Sequence, residues 1–514
     1  MILFRNSDWL AVDKPTGLAT HAGKPGELGA VEWLELHLRL KTHVVSRLDR
    51  GTSGVLLLAR TAEAAARAEE IHEAGRAVKI YEFYSAADAL VTGPAESWTR
   101  EDDLDGKAAF TRFTRVGQTP RGDHFRYRAE ISRGRRHQIR RHAAASGVPV
   151  LGDEEYGGAV FERLMLNCSE VRWPGIAEPI ASARPATFAA LDNGLDPALS
   201  VCRDRRGKWP QVITDAFRIV HRDEIPCLPA AVDIYGEWFN AIWFDETSTP
   251  DKQVKLLHPV LAEITDTFGL RGGVIRTHRR NPHQRGLVIE TEIVGNEPPD
   301  TFNVREHSLD YEISLTRTQH TGLFLDQRDT RRRVALMASE RRVANLFAFT
   351  CSFSVAAVAA DAEVAFSVDT AKPCLNTGKT NFALNGLTEG GKGKFIQEDA
   401  RKWLTRQEKR AKENPREFRP WDLVICDPPV FASAKDGGRF ALEKEWPHLA
   451  SRAAAIMTPN GQAVFANNHR SGDHAFYRRE LEKIFREVID LRPPLDFPVF
   501  QGRPHHVRTF WCAK

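Results

Sequence analysis

From about residue 340 onward, short apolar runs alternate with amphipathic stretches almost without interruption, and few folds satisfy that order. The runs Val343–Phe347, Val364–Val368, Phe395–Gln397, Leu423–Cys426, Ala463–Ala466 and Val507–Cys512 have the length and composition of buried strands. Between them, Ser352–Ala360, Ala371–Asn385, Ala400–Arg410, Leu442–Met457 and Ala475–Phe485 have helical spacing. The alternation predicts a doubly wound parallel sheet, which binds ligands at the carboxyl ends of its strands. Three acids fall there: Asp369 ends the second strand, Asp399 follows the third, and Asp427 ends the fourth within Cys-Asp-Pro-Pro-Val-Phe. An acid after the second strand can accept both ribose hydroxyls of a nucleoside cofactor. One after the third can accept from an adenine amine. Pro428 and Pro429 fix φ and remove amide donors. That leaves backbone carbonyls and the Phe431 ring free to hold a flat base.

The 514 residues suggest about three domains at ~100–200 residues each. The first is expected over 1–200, with Cys202–Gln211 (CRDRRGKWPQ) as a basic connector or exposed edge. Segments Phe217–Val220, Ala231–Trp238 and Ala241–Phe244, a helix near Val254–Phe268 and a basic loop Arg276–Gly286 then predict a small α/β subdomain within 201–305. The alternating domain takes 306–514. A hydrophobic fraction of 42% with 27% charged residues excludes a disordered chain. The formal charge of +4 is mild, so any nucleic-acid affinity must come from local patches. Seven scattered cysteines without CxxC spacing argue for reduced thiols in a cytosol, against a disulfide framework or a zinc site. MILFRNSDWL has no signal-peptide pattern, and no apolar run approaches the ~18 residues of a membrane helix.

Residues 46–54, Ser-Arg-Leu-Asp-Arg-Gly-Thr-Ser-Gly, form a charged cluster between two apolar runs. That pattern places Asp49 on a tight turn, with Gly51 and Gly54 letting the backbone bend. Flanking Arg47 and Arg50 favour the ionised carboxylate, and so a nucleophile. The segment resembles the catalytic motif of the RluA family of pseudouridine synthases. Asn6–His21 (NSDWLAVDKPTGLATH), Lys79-Ile80-Tyr81, Gly106–Phe113 (GKAAFTRF) and Arg133–Gly158 follow in that family's order. Ser46 departs from it, since histidine is usual there. The resemblance implies an α+β synthase domain with Asp49 as nucleophile, Tyr81 packed on the base and Arg140 paired with Asp49. It also implies Arg47 filling the space of a flipped uridine, Arg135 and Arg136 on RNA phosphates, and no cofactor or metal.

The C-terminal region resembles class I S-adenosyl-L-methionine-dependent methyltransferases acting on large-subunit ribosomal RNA, closest to RlmK-type domains. Thr321–Arg328 (TGLFLDQR), Asn345–Ala357 (NLFAFTCSFSVAA), Asn381–Leu387 (NFALNGL), Asp427–Phe431 and Phe465–Arg470 (FANNHR) carry the likeness. It implies a Rossmann-like domain in which Asp369 and Asp399 hold the cofactor's ribose and adenine, while Asp427, Pro428, Pro429 and Phe431 face the target base. Relatives usually have Thr-Gly where this chain has Thr350-Cys351, and Asn345–Val358 contains no glycine. A side chain there would crowd the methionine end of the cofactor. Two readings therefore stand: a bifunctional RNA-modifying enzyme, or a synthase whose second half is an RNA-binding module. For an active second half, Asn467-Asn468 and the absence of a cysteine after the fifth strand favour guanine N7, with the exocyclic amine as runner-up. Cys351 and Cys426 read as small buried hydrophobes, not nucleophiles.

Overall fold

The computed structural model describes residues 1–92, 96–222, 224–245, 249–280, 287–318, 320–388, 391–433, 439–469, 472–499 and 507–514. For Thr92, 278–280, 287–288, 432–433 and 439 it describes the backbone alone. The basic loop expected at Arg276–Gly286 lies outside the described residues from 281 on, as does Arg470. The chain forms two compact units, one of 1–23, 28–212 and 219–231, the other of 24–27, 213–218 and 232–514.

The first unit is built on a ten-stranded sheet. Its main order is Ile2–Arg5, Trp9–Lys14, Ser53–Ala59, Leu166–Arg172, Val78–Ser85, Phe125–Ile131, Lys107–Gln118 and Ser97–Leu104. Ser53–Ala59 (SGVLLLA) is buried along its whole length, as a central strand must be. Gly54 is required where this strand meets Leu166–Arg172: its φ is 106°, and a Cβ there would lie 2.1 Å from the Cys168 carbonyl oxygen. Helix Ala62–Glu73 starts at Thr61, whose hydroxyl accepts from the Ala64 amide at 3.1 Å.

The expected connector at Cys202–Gln211 is instead part of this unit. Helix Ala198–Arg206 covers its start, and the basic reading failed because the charge is internal. Arg206 grips the buried carboxylate of Glu224 through two hydrogen bonds of 2.6 and 2.7 Å. Trp209, also buried, donates to the Asp13 carbonyl at 2.7 Å.

A five-stranded sheet follows, ordered Ala216–Val220, Ala230–Tyr235, Trp238–Trp243, Gly272–Arg280 and Leu287–Gly295. Helix Pro250–Phe268 connects the parallel pair Trp238–Trp243 and Gly272–Arg280. The second unit ends in a seven-stranded sheet ordered Gly393–Gln397, Val364–Asp369, Arg342–Leu346, Trp421–Cys426, Met457–Asn467, Arg508–Ala513 and Glu487–Leu491. Leu423 and Ile425 enter one apolar core while Val424 and Cys426 enter another, the period of two expected when both faces are covered.

The sheet is not wholly parallel. Arg508–Ala513 runs antiparallel to both neighbours. The sequence reading missed Glu487–Leu491, an edge strand of mixed burial whose pattern carries little apolar alternation. Once the chain has laid that strand at the edge, the last strand must return in the opposite direction to fill the gap.

Candidate active sites

Asp49 lies on the loop joining His43–Val44 to Ser53–Ala59, and the turn over residues 14–20 holds that loop from beneath. Leu48 exchanges two hydrogen bonds with Thr20, its amide donating to the hydroxyl at 3.1 Å and its carbonyl accepting from it at 3.0 Å. The Thr16 hydroxyl donates to the Gly51 carbonyl at 2.6 Å, and the Gly17 amide to the Arg50 carbonyl at 2.8 Å. Lys14 is fully buried, with its ammonium donating to the carbonyls of Leu18 at 2.6 Å and Pro15 at 3.1 Å. Burial pulls its pKa down to about 7, Arg163 adding to that pull and the Asp49 charge opposing it. The nucleophile candidate is thus mounted on a hydrogen-bonded frame. Lys14, Thr16 and Thr20 belong to a recognisable segment, but nothing in the sequence assigned them this part.

Arg140, on helix Gln138–Ala145, was expected to pair with Asp49. Its Nη1 stands 3.7 Å from Asp49 Oδ2, while its short bonds go elsewhere. Nε and Nη2 each reach Asp153 at 2.7 Å, and Nη2 also donates to Glu155 at 2.9 Å. Burial alone would lower the pKa of Arg140, but the hydrogen bonds and charge of Asp153, aided by Asp49, hold it above its ordinary value. His137 is a neighbour that sequence reasoning left without a role. Its Nε2 is 3.7 Å from Asp49 Oδ1, its Nδ1 is 3.0 Å from the Tyr156 hydroxyl, and its φ of 52° turns the chain into the helix.

All six residues expected at this site, Arg47, Asp49, Tyr81, Arg135, Arg136 and Arg140, line one cavity of about 840 Å³. Eight Lys or Arg side chains line it against two carboxylates, Asp49 and Glu73. That imbalance favours a polyanion. Arg47 and Arg136 are exposed, and Arg135 leans on the Ala108 carbonyl at 3.4 Å. Tyr81 is buried. Desolvation, together with the adjacent Cys168 thiol, pushes its hydroxyl well above the usual range, so it is a neutral phenol.

In the second unit the three acids stand where strands of one sheet end. Asp369 closes Val364–Asp369 and accepts from the Phe349 amide at 2.9 Å and the Ala371 amide at 2.8 Å. The loop it anchors takes left-handed φ at Phe347 (58°), Phe349 (48°) and Cys351 (63°) in spite of having no glycine. The Cys351 side chain, expected to crowd a cofactor, is buried against helix Lys372–Leu384. A Cβ added to Gly378 would lie 2.4 Å from its sulfur. The helix supplies the room that the loop lacks, so the loop fits the approach of a nucleoside such as S-adenosylmethionine.

Asp399 caps helix Ala400–Glu413, accepting from the Arg401 amide at 2.8 Å and the Arg401 guanidinium at 2.7 Å. Burial works against its charge, and the Arg401 bonds overcome that and lower its pKa. Asp427 follows Trp421–Cys426. Burial raises its carboxyl to about 7, with the nearby Asp326 carboxylate adding to the rise.

Beyond Asp427, Pro428 is buried, Pro429 exposed, and Phe431 72% exposed. The Phe431 ring meets His469 edge-on at 6.1 Å, and His469 Nδ1 lies 2.5 Å from the Tyr477 hydroxyl. The buried Asn467 amide nitrogen has no hydrogen-bond partner among the described residues. Burial pushes the Cys426 thiol well above its usual range, so it is no thiolate.

Residues 266–495 match the family model described as S-adenosylmethionine-dependent methyltransferase, and residues 8–145 the model described as RNA pseudouridylate synthase. The ribosomal RNA large subunit methyltransferase K of Neisseria meningitidis serogroup B is 31% identical over 260 residues, covering 50% of this chain and 70% of that protein. The chain belongs to this methyltransferase family. It carries the family's domain behind a pseudouridylate synthase domain of the RluA type. The ribosomal RNA large subunit methyltransferase K/L of Psychrobacter arcticus is 31% identical over 277 residues, which are 53% of this chain and 34% of that protein. The chain therefore spans about a third of the length of such K/L relatives. A solved structure described as a SAM-dependent methyltransferase from Streptococcus mutans shares the fold, with a TM-score of 0.50 at 22% identity, covering 61% of this chain and 79% of that one.

Proposed function

We propose that the chain is a bifunctional RNA-modification enzyme that isomerises uridine to pseudouridine and methylates guanine at N7, both in large-subunit ribosomal RNA. The division into a synthase domain over 1–200, a small RNA-binding-like subdomain over 201–305 and a methyltransferase domain over 306–514 belongs to the same proposal. Its seven free cysteines suit a reducing compartment, the cytoplasm.

The observation that carries the reading is Asp49, held by its hydrogen-bonded frame in a cationic cavity with Arg140 and Tyr81. A uridine inside folded RNA must leave its stack before a side chain can reach the glycosidic bond, and Arg47 is the residue to fill the vacated space. Asp49 attacks, the uracil turns, and the ring is rejoined through carbon. Arg140 stands beside Asp49 at 3.7 Å, Tyr81 packs on the base, and Arg135 and Arg136 hold phosphates.

In the second site Asp369 and Asp399 take the ribose and adenine of S-adenosyl-L-methionine, which supplies the methyl group as an electrophile. Guanine N7 carries an in-plane lone pair and no proton to remove, so positioning suffices. Asp427 accepts from the base, Pro428 and Pro429 shape the turn, and Phe431 stacks. One observation favours the alternative of an RNA-binding module: Arg401 already pairs with Asp399. Equilibrium binding of S-adenosylmethionine to the full chain separates the two, and binding is expected. Asp49→Asn is expected to abolish pseudouridine formation while leaving RNA binding intact; a variant that still isomerises uridine would overturn the assignment.

A further inference from the structure

Lys79 and Tyr81 are two residues apart on strand Val78–Ser85, so their side chains share a face, and both line the Asp49 cavity while Ile80 does not. Lys79 is only 8% exposed, yet it makes no hydrogen bond or ion pair among the described residues. His72 and Cys168, the titratable groups that act on it, offer no counter-charge. Burial, with Lys79 itself, lowers the His72 imidazole to about 4, burial raises the Cys168 thiol to about 12, and Tyr81 is a neutral phenol. Burial lowers the pKa of Lys79 as well. The other buried lysines and arginines among the described residues of this unit are satisfied: Lys14 by carbonyls, Arg140 by Asp153, Arg163 by Asp204 and Arg206 by Glu224. The Lys79 stem is buried while its ammonium, without a protein partner among the described residues, faces the cavity, where an arriving anion would pair with it.

We propose that Lys79 is a catalytic residue of the isomerisation, placing its ammonium against the negative charge that the uracil ring carries between detachment and reattachment. The inference rests on the isomerase reading above. When the bond from the ribose C1′ to N1 breaks, its electron pair passes to the uracil ring and spreads onto the two carbonyl oxygens. The ring turns, C5 uses that pair to bond to C1′, and any ester formed by Asp49 is released in the same step. The C5 proton then leaves and N1 gains one, so the product is an isomer and no other reactant is consumed. A cation fixed on the cavity wall stabilises the negatively charged detached ring more than the neutral uridine, which is what lowers the barrier.

The test uses the full chain and large-subunit ribosomal RNA transcribed with either uridine or 5-fluorouridine. Fluorine at C5 removes the proton-loss step but leaves bond breaking and rejoining in place. Lys79→Met is expected to slow single-turnover rearrangement of both RNAs by roughly 10²–10³-fold, the scale of losing one charge-stabilising donor. RNA affinity should be unchanged, and Lys79→Arg should recover part of the rate. The thermal midpoint of Lys79→Met should equal or exceed that of the parent, because a partly desolvated ammonium without a protein partner is replaced by an apolar chain. An unchanged rate, a slowing confined to the uridine RNA, or a lowered midpoint without rescue by arginine would overturn the inference. A parent chain that rearranges neither RNA would instead remove the isomerase reading itself.

Discussion

Replacing Gly378 with alanine tests whether the cofactor loop depends on the neighbouring helix. The new Cβ would lie 2.4 Å from the Cys351 sulfur and 3.0 Å from its Cβ, so either the thiol rotates or the loop shifts. Overpacking of this kind costs ~1–3 kcal/mol. Cys351 begins helix Ser352–Ala359 and sits in the loop tied to Asp369, so the displacement reaches the cofactor side directly. Each ~1.4 kcal/mol that falls on the bound state weakens binding tenfold. Gly378→Ala is therefore expected to weaken S-adenosylmethionine binding about tenfold or more and to lower the unfolding midpoint.

Cys351→Gly loses a buried thiol but gains a residue suited to φ 63°. A left-handed non-glycine residue costs roughly 1–2 kcal/mol, so these effects nearly cancel. The double variant should recover most of the affinity, because the alanine methyl takes the space that the sulfur vacates. Calorimetric binding and thermal unfolding of the parent and three variants give the coupling, expected at ~1–3 kcal/mol. Additivity within about 0.5 kcal/mol would refute the compensation.

Arg140→Ala leaves the buried Asp153 without its partner, so it should cost roughly 3–5 kcal/mol of stability in denaturant unfolding besides any loss of rate. The Asp427 carboxyl rises in the fold to about 7 from an ordinary value near 3.8, so the folded chain binds the extra proton across that window. Its stabilising contribution is full below the unfolded pKa and is lost as pH rises through about 7. Asp427→Asn should gain stability relative to the parent over that range, read as a pH series of midpoints. Arg135→Ala with Arg136→Ala should flatten the salt dependence of RNA binding by about one to two in log–log slope; an unchanged slope would return both to a solvated surface.

What the sequence made legible followed from how local each signal is. Asp49, Tyr81 and Arg140 sit within contiguous motifs, and the three strand-end acids follow from strand order alone. Lys14 and Thr20 hold the Asp49 loop from about 30 residues away, through bonds to backbone that leave no trace in residue type. The exchange of bulk between Cys351 and Gly378 is of the same kind. The loop looks blocked until the neighbouring helix is placed beside it. Helix Ala198–Arg206 was misread because exposed and internally paired arginines look alike until Glu224 is brought to Arg206. Strand Glu487–Leu491 was missed because a half-covered edge needs no strong apolar pattern.

The most direct measurement is mass spectrometry of large-subunit ribosomal RNA from cells with and without the gene. Loss of a pseudouridine together with an N7-methylguanine is the expected result, with Asp49→Asn removing only the first. Unchanged levels of both, or loss of a methylated cytosine with methylguanines intact, would contradict the account.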